Sequence, residues 1–220
     1  MKKQFLAVSA LMLATPVMAV DITANGGLNS EYIFRGVPQS DGDAAAFGGA
    51  DAEWDIGFFA GTWASTVDSG TGGNDGIEYD LYGGWAGEVG DFTLGAGITL
   101  YRYTDSFDDD YNEVNLTGGW SFLTINVDIG EYENFDGPDQ DYQHSLVQVD
   151  YNNFYANWGS FYDDFDGDYF TAGYGNTLSV ADTDLFDYSF SVIHSTDDLL
   201  GSSDTNIVVE ISKTFDVFSN

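Results

Sequence analysis

Phe92-Thr93-Leu94-Gly95-Ala96-Gly97-Ile98-Thr99-Leu100-Tyr101 is the stretch that decides the fold. Phe92, Leu94, Ala96, Ile98 and Leu100 share one parity, and Thr93, Gly95, Gly97 and Thr99 the other. Side chains on a β-strand alternate between its two faces, so one face here is apolar and the other small and polar. A tilted strand of about ten residues is long enough to cross a bilayer.

The same alternation recurs on both sides of this stretch. Upstream, Ile77, Tyr79, Leu81, Gly83, Trp85 and Val89 oppose Glu78, Asp80, Tyr82 and Glu88, and Ala46, Gly48, Ala50, Ala52 and Trp54 oppose Asp51, Glu53 and Asp55. Downstream, Val114 and Leu116 oppose Glu113 and Asn115, Ile125, Val127 and Ile129 oppose Asn126 and Asp128, and Val147, Val149 and Tyr151 oppose His144, Gln148 and Asp150. The last repeat sets Ile207, Val209, Ile211 and Phe215 against Val208, Glu210, Ser212 and Thr214. The first strand is expected over 22–37. Tight turns are expected at Gly57, Gly90-Asp91 and Asn152-Asn153, and longer acidic loops near 105–113, 135–141 and 163–168. This pattern predicts an all-β, transmembrane antiparallel up-and-down β-barrel of about twelve strands, within a range of roughly ten to fourteen. No apolar stripe of helical period is present after the N-terminal segment.

That segment reads as a leader. Lys2 and Lys3 precede an apolar run from Phe5 to Ala14, and Val17-Met18-Ala19 offers small residues where a signal peptidase cleaves. The division is therefore a signal peptide over 1–19 and a barrel over 20–220. The run is too short for a membrane anchor helix. The chain has no cysteine, so an exported fold must hold itself without disulfides, and a closed barrel pairs every backbone group between strands.

Formal net charge is −32, and loss of Lys2 and Lys3 with the leader takes it to −34. Only Arg35, Arg102 and Lys213 remain as strong bases, which excludes nucleic acid as a partner. An aromatic content of 16%, with the alternation, excludes disorder as the reason for the acidity. Tyr79, Trp85, Tyr101, Trp120, Tyr151 and Trp158 fall near strand ends, where aromatic girdles meet lipid headgroups. The final strand, with alternating apolar residues ending in Phe215, resembles the C-terminal signal by which outer-membrane barrels are recognised by the barrel-assembly machinery; the tail Asp216–Asn220 departs from that signal, with Phe218 as the alternative terminal aromatic.

Several blocks carry a family resemblance: Ser30-Glu31-Tyr32-Ile33-Phe34-Arg35-Gly36-Val37, Gln39-Ser40-Asp41-Gly42, Gly57-Phe58-Phe59-Ala60-Gly61-Thr62-Trp63-Ala64-Ser65 and Glu78-Tyr79-Asp80-Leu81-Tyr82-Gly83-Gly84. Together they resemble the TorF-like porins of proteobacteria, over about residues 22–104. The resemblance implies an outer-membrane barrel with porin activity and carries no substrate with it.

Inward parity makes Glu31, Arg35, Asp51, Glu53, Asp55, Glu78, Asp80, Glu113, Asp128, Asp150 and Glu210 the pore-lining candidates. Carboxylates in such number concentrate cations and repel anions. Arg35 either braces a constriction by pairing with acids of neighbouring strands or forms a plain structural salt bridge. Arg102, on the lipid-facing parity, is expected to snorkel to the interface beside Tyr101 and Tyr103. The acidic loops lack calcium-loop spacing and read as solvated surface, so no cofactor or metal is implied. They could still meet divalent ions bridged to lipopolysaccharide. His144 and His194 are the only neutral-pH bases, and neither comes with a nucleophile elbow, so no enzyme is expected.

The expected activity is a porin-like channel in the Gram-negative outer membrane, passing small hydrophilic solutes or cations by passive diffusion. Its lipid-facing partners are outer-membrane lipid and lipopolysaccharide. A closed structural or adhesive barrel with ion-binding loops is the first alternative, and a soluble exported β-barrel binding protein the second.

Overall fold

Twelve strands close on themselves in a computed structural model that describes residues 19–135, 137–181 and 183–219. The leader expectation falls on 1–18 and lies outside the described residues, apart from Ala19 at its end. Wall strand β1 (Val20–Asn29) is followed by a small hairpin of β2 (Ile33–Phe34) and β3 (Val37–Pro38). The wall resumes with β4 (Ala45–Trp54), β5 (Phe58–Asp68), β6 (Asp75–Val89), β7 (Phe92–Tyr103), β8 (Tyr111–Trp120) and β9 (Leu123–Tyr132). It ends with β10 (Gln140–Tyr151), β11 (Phe154–Asp163), β12 (Gly167–Val180), β13 (Thr183–Ser195) and β14 (Asp204–Phe218). One short helix, α1 (Asp197–Leu200), sits between β13 and β14. This is the transmembrane antiparallel up-and-down barrel that the alternation predicts.

Each wall strand pairs antiparallel with its sequence neighbours, and β1 closes the ring by pairing with both β4 and β14. Closure removes the two free edges that an open twelve-stranded wall would have, the condition for a sheet in hydrocarbon. Tight turns gather at one end. Gly57 (φ +88°) turns β4 into β5 because a side chain there would strike the Ala86 carbonyl at 2.2 Å, and Gly90 (φ +66°) turns β6 into β7. The longer connections, 30–44, 69–74, 104–110, 133–139 and 196–203, lie at the other end.

The seam between β1 and β14 carries a bulge between Ile22 and Thr23, where Ile22 pairs with Phe218 and Thr23 with Asp216. One residue on β14 is therefore skipped, and Phe215 and Phe218, of opposite parity, both lie on the outer face.

The outer face is apolar. Leu94, Ile98, Leu116, Ile129, Phe170 and Phe190 stand open along it, as lipid-facing residues must. The inner face follows one construction rule six times. An aromatic ring occupies the space beside the glycine that pairs with it across the strands: Phe47 at Gly27, Tyr82 at Gly61, Phe59 at Gly84, Tyr142 at Gly130, Tyr169 at Gly159 and Tyr155 at Gly173. A methyl group on Gly159 would meet the Tyr169 ring at 2.2 Å. The glycines make room for rings against the wall, so the rings line the lumen without filling it.

The expected first strand over 22–37 is corrected. β1 stops at Asn29, and the chain then turns into the lumen. Ser30 anchors the bend twice, its N–H donating to Val209 O at 2.8 Å and its Oγ accepting from Val209 N at 2.9 Å. The hairpin beyond pairs Ile33 with Pro38 and Phe34 with Val37. Its two-residue loop is Arg35-Gly36, both left-handed at φ 49° and φ 82°. Two consecutive positive φ values define the tight hairpin turn that matches strand twist.

Candidate functional site

The hairpin carries Arg35 to the inner wall of β8 and β9. Its Nη1 donates to Glu113 Oε1 at 2.5 Å and its Nη2 to Glu113 Oε2 at 3.0 Å, a bidentate pair. Nη2 also donates to Asp128 Oδ2 at 2.9 Å. Glu113 accepts further hydrogen bonds from the Tyr101 hydroxyl (3.1 Å), the Tyr142 hydroxyl (2.7 Å) and Asn115 Nδ2 (3.0 Å). Asp128 accepts from the same Asn115 amide at 2.9 Å and contacts His144 Nδ1 at 2.9 Å. His144 Nε2 lies 3.1 Å from the Tyr169 hydroxyl. Both carboxylates are buried, and this density of partners is what makes that tolerable.

Three further fasteners hold the hairpin. The Tyr32 hydroxyl donates to Glu78 at 2.8 Å, the Ser195 hydroxyl to Gly36 O at 2.6 Å and Asp68 N–H to Gln39 O at 2.9 Å. Phe34 packs on Tyr101 with ring centroids 5.4 Å apart, and Tyr32 on Trp63 at the same distance. The segment is thus tied to β5, β6, β7, β8, β9 and β13 and lies across the bore.

Arg35 lines two cavities, one on each side of the hairpin. The outer one, about 340 Å³, opens among the long loops and is bounded by Tyr103, Asp108, Asp166 and Asp198. The inner one, about 390 Å³, is bounded by Glu31, Asn157, Ser189, Ser191 and Glu210.

The sequence candidates separate by depth. Glu78, Asp80, Glu113 and Asp128 lie buried on the inner face, facing the hairpin or close to it. Asp51 accepts a 2.5 Å hydrogen bond from the Tyr82 hydroxyl on that face. Glu53 and Asp150 share the parity but are exposed near the tight-turn end, where Asp150 takes Gln148 Nε2 at 3.1 Å. Glu210 lines the inner cavity. Glu31 reaches that cavity from the bend after β1, and Arg35 from the hairpin, so neither is a wall residue. Asp55 belongs to the turn between β4 and β5 and has no inward parity; alternation ends where the strand does.

Other expectations also shift. Tyr101 is buried inside the barrel and does not join an outer girdle. Its odd parity, shared with Thr99, already pointed inward. Arg102 does face outward, but it is held at the strand end by Tyr101 O, Tyr111 O, Asn112 Oδ1 and a 3.0 Å ion pair with Asp110. Burial raises the Asp110 carboxyl above its ordinary range, with Arg102 pulling the other way. His194 meets Thr205 Oγ1 at 2.8 Å on the outer face, while its sequence neighbour Ser195 points inward at the hairpin. Among the described residues, no group of three His, Asp or Glu side chains is placed to hold a metal ion. Reading for acids alone missed Tyr32, Tyr142, Asn115 and Ser195. Tyrosine on acid parity in adjacent strands was the available signal.

A model of the bacterial family Gcw_chp, described as bacterial protein of unknown function, matches residues 13–215. The chain belongs to the Gcw_chp family. Comparison with curated proteins gives no match. Among solved structures, this Gcw_chp member is similar to the KdgM porin in complex with disordered oligogalacturonate, with a TM-score of 0.56 at 8% identity, covering 89% of this chain and 99% of that one. The KdgM porin without that ligand gives a TM-score of 0.53 at 8% identity over the same shares. OpdK, an outer membrane protein of Pseudomonas aeruginosa, gives 0.41 at 13% identity, covering 79% of this chain and 57% of that one. At such identity the likeness to KdgM concerns the fold.

Proposed function

We propose that this Gcw_chp protein is an outer-membrane porin-like channel that passes small hydrophilic solutes by diffusion and prefers cations. The observation that carries the reading is the lumen. Asp108, Asp166 and Asp198 line the solvent-sized space on one side of the hairpin and Glu31 and Glu210 that on the other, with Arg35 as the strongly basic residue lining both. Fixed carboxylates raise the local concentration of cations in a narrow, low-dielectric bore. The fold shared with KdgM supports the same activity. KdgM is described with an anionic oligosaccharide; an acidic lumen disfavours such a solute here. The outward aromatics at Phe215 and Phe218 suit delivery by the barrel-assembly machinery, and the acidic loop end suits ion-bridged contact with lipopolysaccharide.

Reconstitution in a planar bilayer under a potassium chloride gradient tests the proposal. The expected reversal potential has the sign of potassium flow, and an anion-directed one overturns the preference. A second reading, a closed structural barrel, is favoured by the hairpin lying across the bore, and total absence of conductance would select it. A soluble exported module is disfavoured by the apolar outer belt, which water would not tolerate over so large an area.

A further inference from the structure

We propose that the outer cavity is a binding site for a small organic ammonium cation. The inference rests on the channel reading and names a solute class for it. The cavity, at about 340 Å³, is near the lower end of pockets that hold small molecules, and it lies between the hairpin tip and the loops. Its walls are aromatic and set at different angles. Phe165 stacks on Tyr142 at 4.7 Å between centroids and 8° between planes, Tyr111 stands at 74° to Tyr142, and Phe34 closes the hairpin side against Tyr101.

The hydroxyls of these tyrosines are already committed. Tyr101 and Tyr142 donate to Glu113, and Tyr111 donates to Asp108. What remains for a guest is the ring surface not already covered by Phe165 on Tyr142, Tyr132 on Tyr111 and Arg35 on Phe34, and a ring face attracts cations through its quadrupole. The rim carries Asp108, Asp166 and Asp198. Asp198, on α1, is exposed and makes no hydrogen bond or ion pair among the described residues. Arg35 at the floor does not reverse this balance, because its guanidinium is shared between Glu113 and Asp128. The cavity therefore presents acceptors and π-faces and few free donors. An anion would find little to hold it, and a neutral sugar would have to donate at every polar contact. An ammonium carried on an apolar body fits both halves of the lining.

The test compares choline with its neutral isostere 3,3-dimethylbutan-1-ol, by isothermal titration against the mature chain in detergent. Choline should bind saturably and at least tenfold more tightly than the isostere. F165L, which removes a ring, and D198N, which removes an exposed charge and leaves the wall intact, should each weaken choline by about three- to tenfold. Equal affinity for choline and the isostere, no saturable binding of choline, or saturable binding of glucose in place of choline overturns the site. So does choline affinity unchanged in D198N and F165L alike. Potassium conductance is measured in parallel. Choline binding without current sinks the channel and leaves the site, whereas current without choline binding does the reverse.

Discussion

Replacing Arg35 by Asn separates the two reasons the hairpin stays inside. Arg35 sits in a left-handed conformation at φ 49°, which costs an L-residue roughly 1 kcal/mol and which Asn adopts more readily. R35N therefore improves the turn while deleting the charge. The deletion strands Glu113, whose side chain is 0% exposed, and Asp128, at 9%. Removing one partner of a buried ion pair costs about 3–5 kcal/mol. The net shift toward hairpin release is then about 3 kcal/mol, roughly a hundredfold in the open-to-closed ratio. The remaining fasteners, three hydrogen bonds at about 1 kcal/mol each, only just match a loss of that size and leave no surplus to keep the hairpin seated. The chain has no cysteine, so I33C, placed where the hairpin lines the inner cavity, gives a clean reporter. Labelling by a bulky, membrane-impermeant maleimide should accelerate on the order of a hundredfold in I33C/R35N over I33C, with a matching rise in conductance. R35K, which keeps charge but loses the planar fork, should fall between. Labelling rates within about threefold of one another, at unchanged conductance, would refute the charge latch and leave turn geometry as the holding force.

S195A removes the donor to Gly36 O and should speed labelling at I33C by about fivefold, corresponding to roughly 1 kcal/mol. G159A forces a methyl group into the Tyr169 ring and should destabilise the barrel by about 1–3 kcal/mol in denaturant titrations, while G118A, with open space around it, should stay within about 0.5 kcal/mol. On one strand, I98K places an ammonium in lipid and should cost about 2–4 kcal/mol of folding free energy in liposomes, whereas T99K, facing the polar interior, should cost far less.

The wall was legible because period two is a geometric fact about strands, and the lipid face leaves few polar exceptions to blur it. Phe92 to Tyr101 needs no tertiary knowledge to read. The hairpin was not legible for the same reason. Tyr32 and Phe34 continue the parity of Leu28, with Glu31 and Arg35 opposite, so local pattern cannot tell a strand going on along the wall from one that has left it. The turn signal was weak as well: Gly36 suits a left-handed position, but Arg35 stands where Asn or Asp would announce the turn. Its conformation is imposed by Glu113 and Asp128, about eighty and ninety residues away in sequence, an electrostatic override of local preference. Asp55 failed differently, since parity has no meaning once the backbone turns.

The bend after β1 has a consequence for assembly order. Arg35 emerges early in synthesis, yet its anchors belong to strands made much later, and Ser195 comes almost last. The tip of this finger therefore has nothing to grip until β8, β9 and β13 stand in the wall. Seating it and sealing the ring are coupled, because the same late strands supply both the docking groups and the final seam.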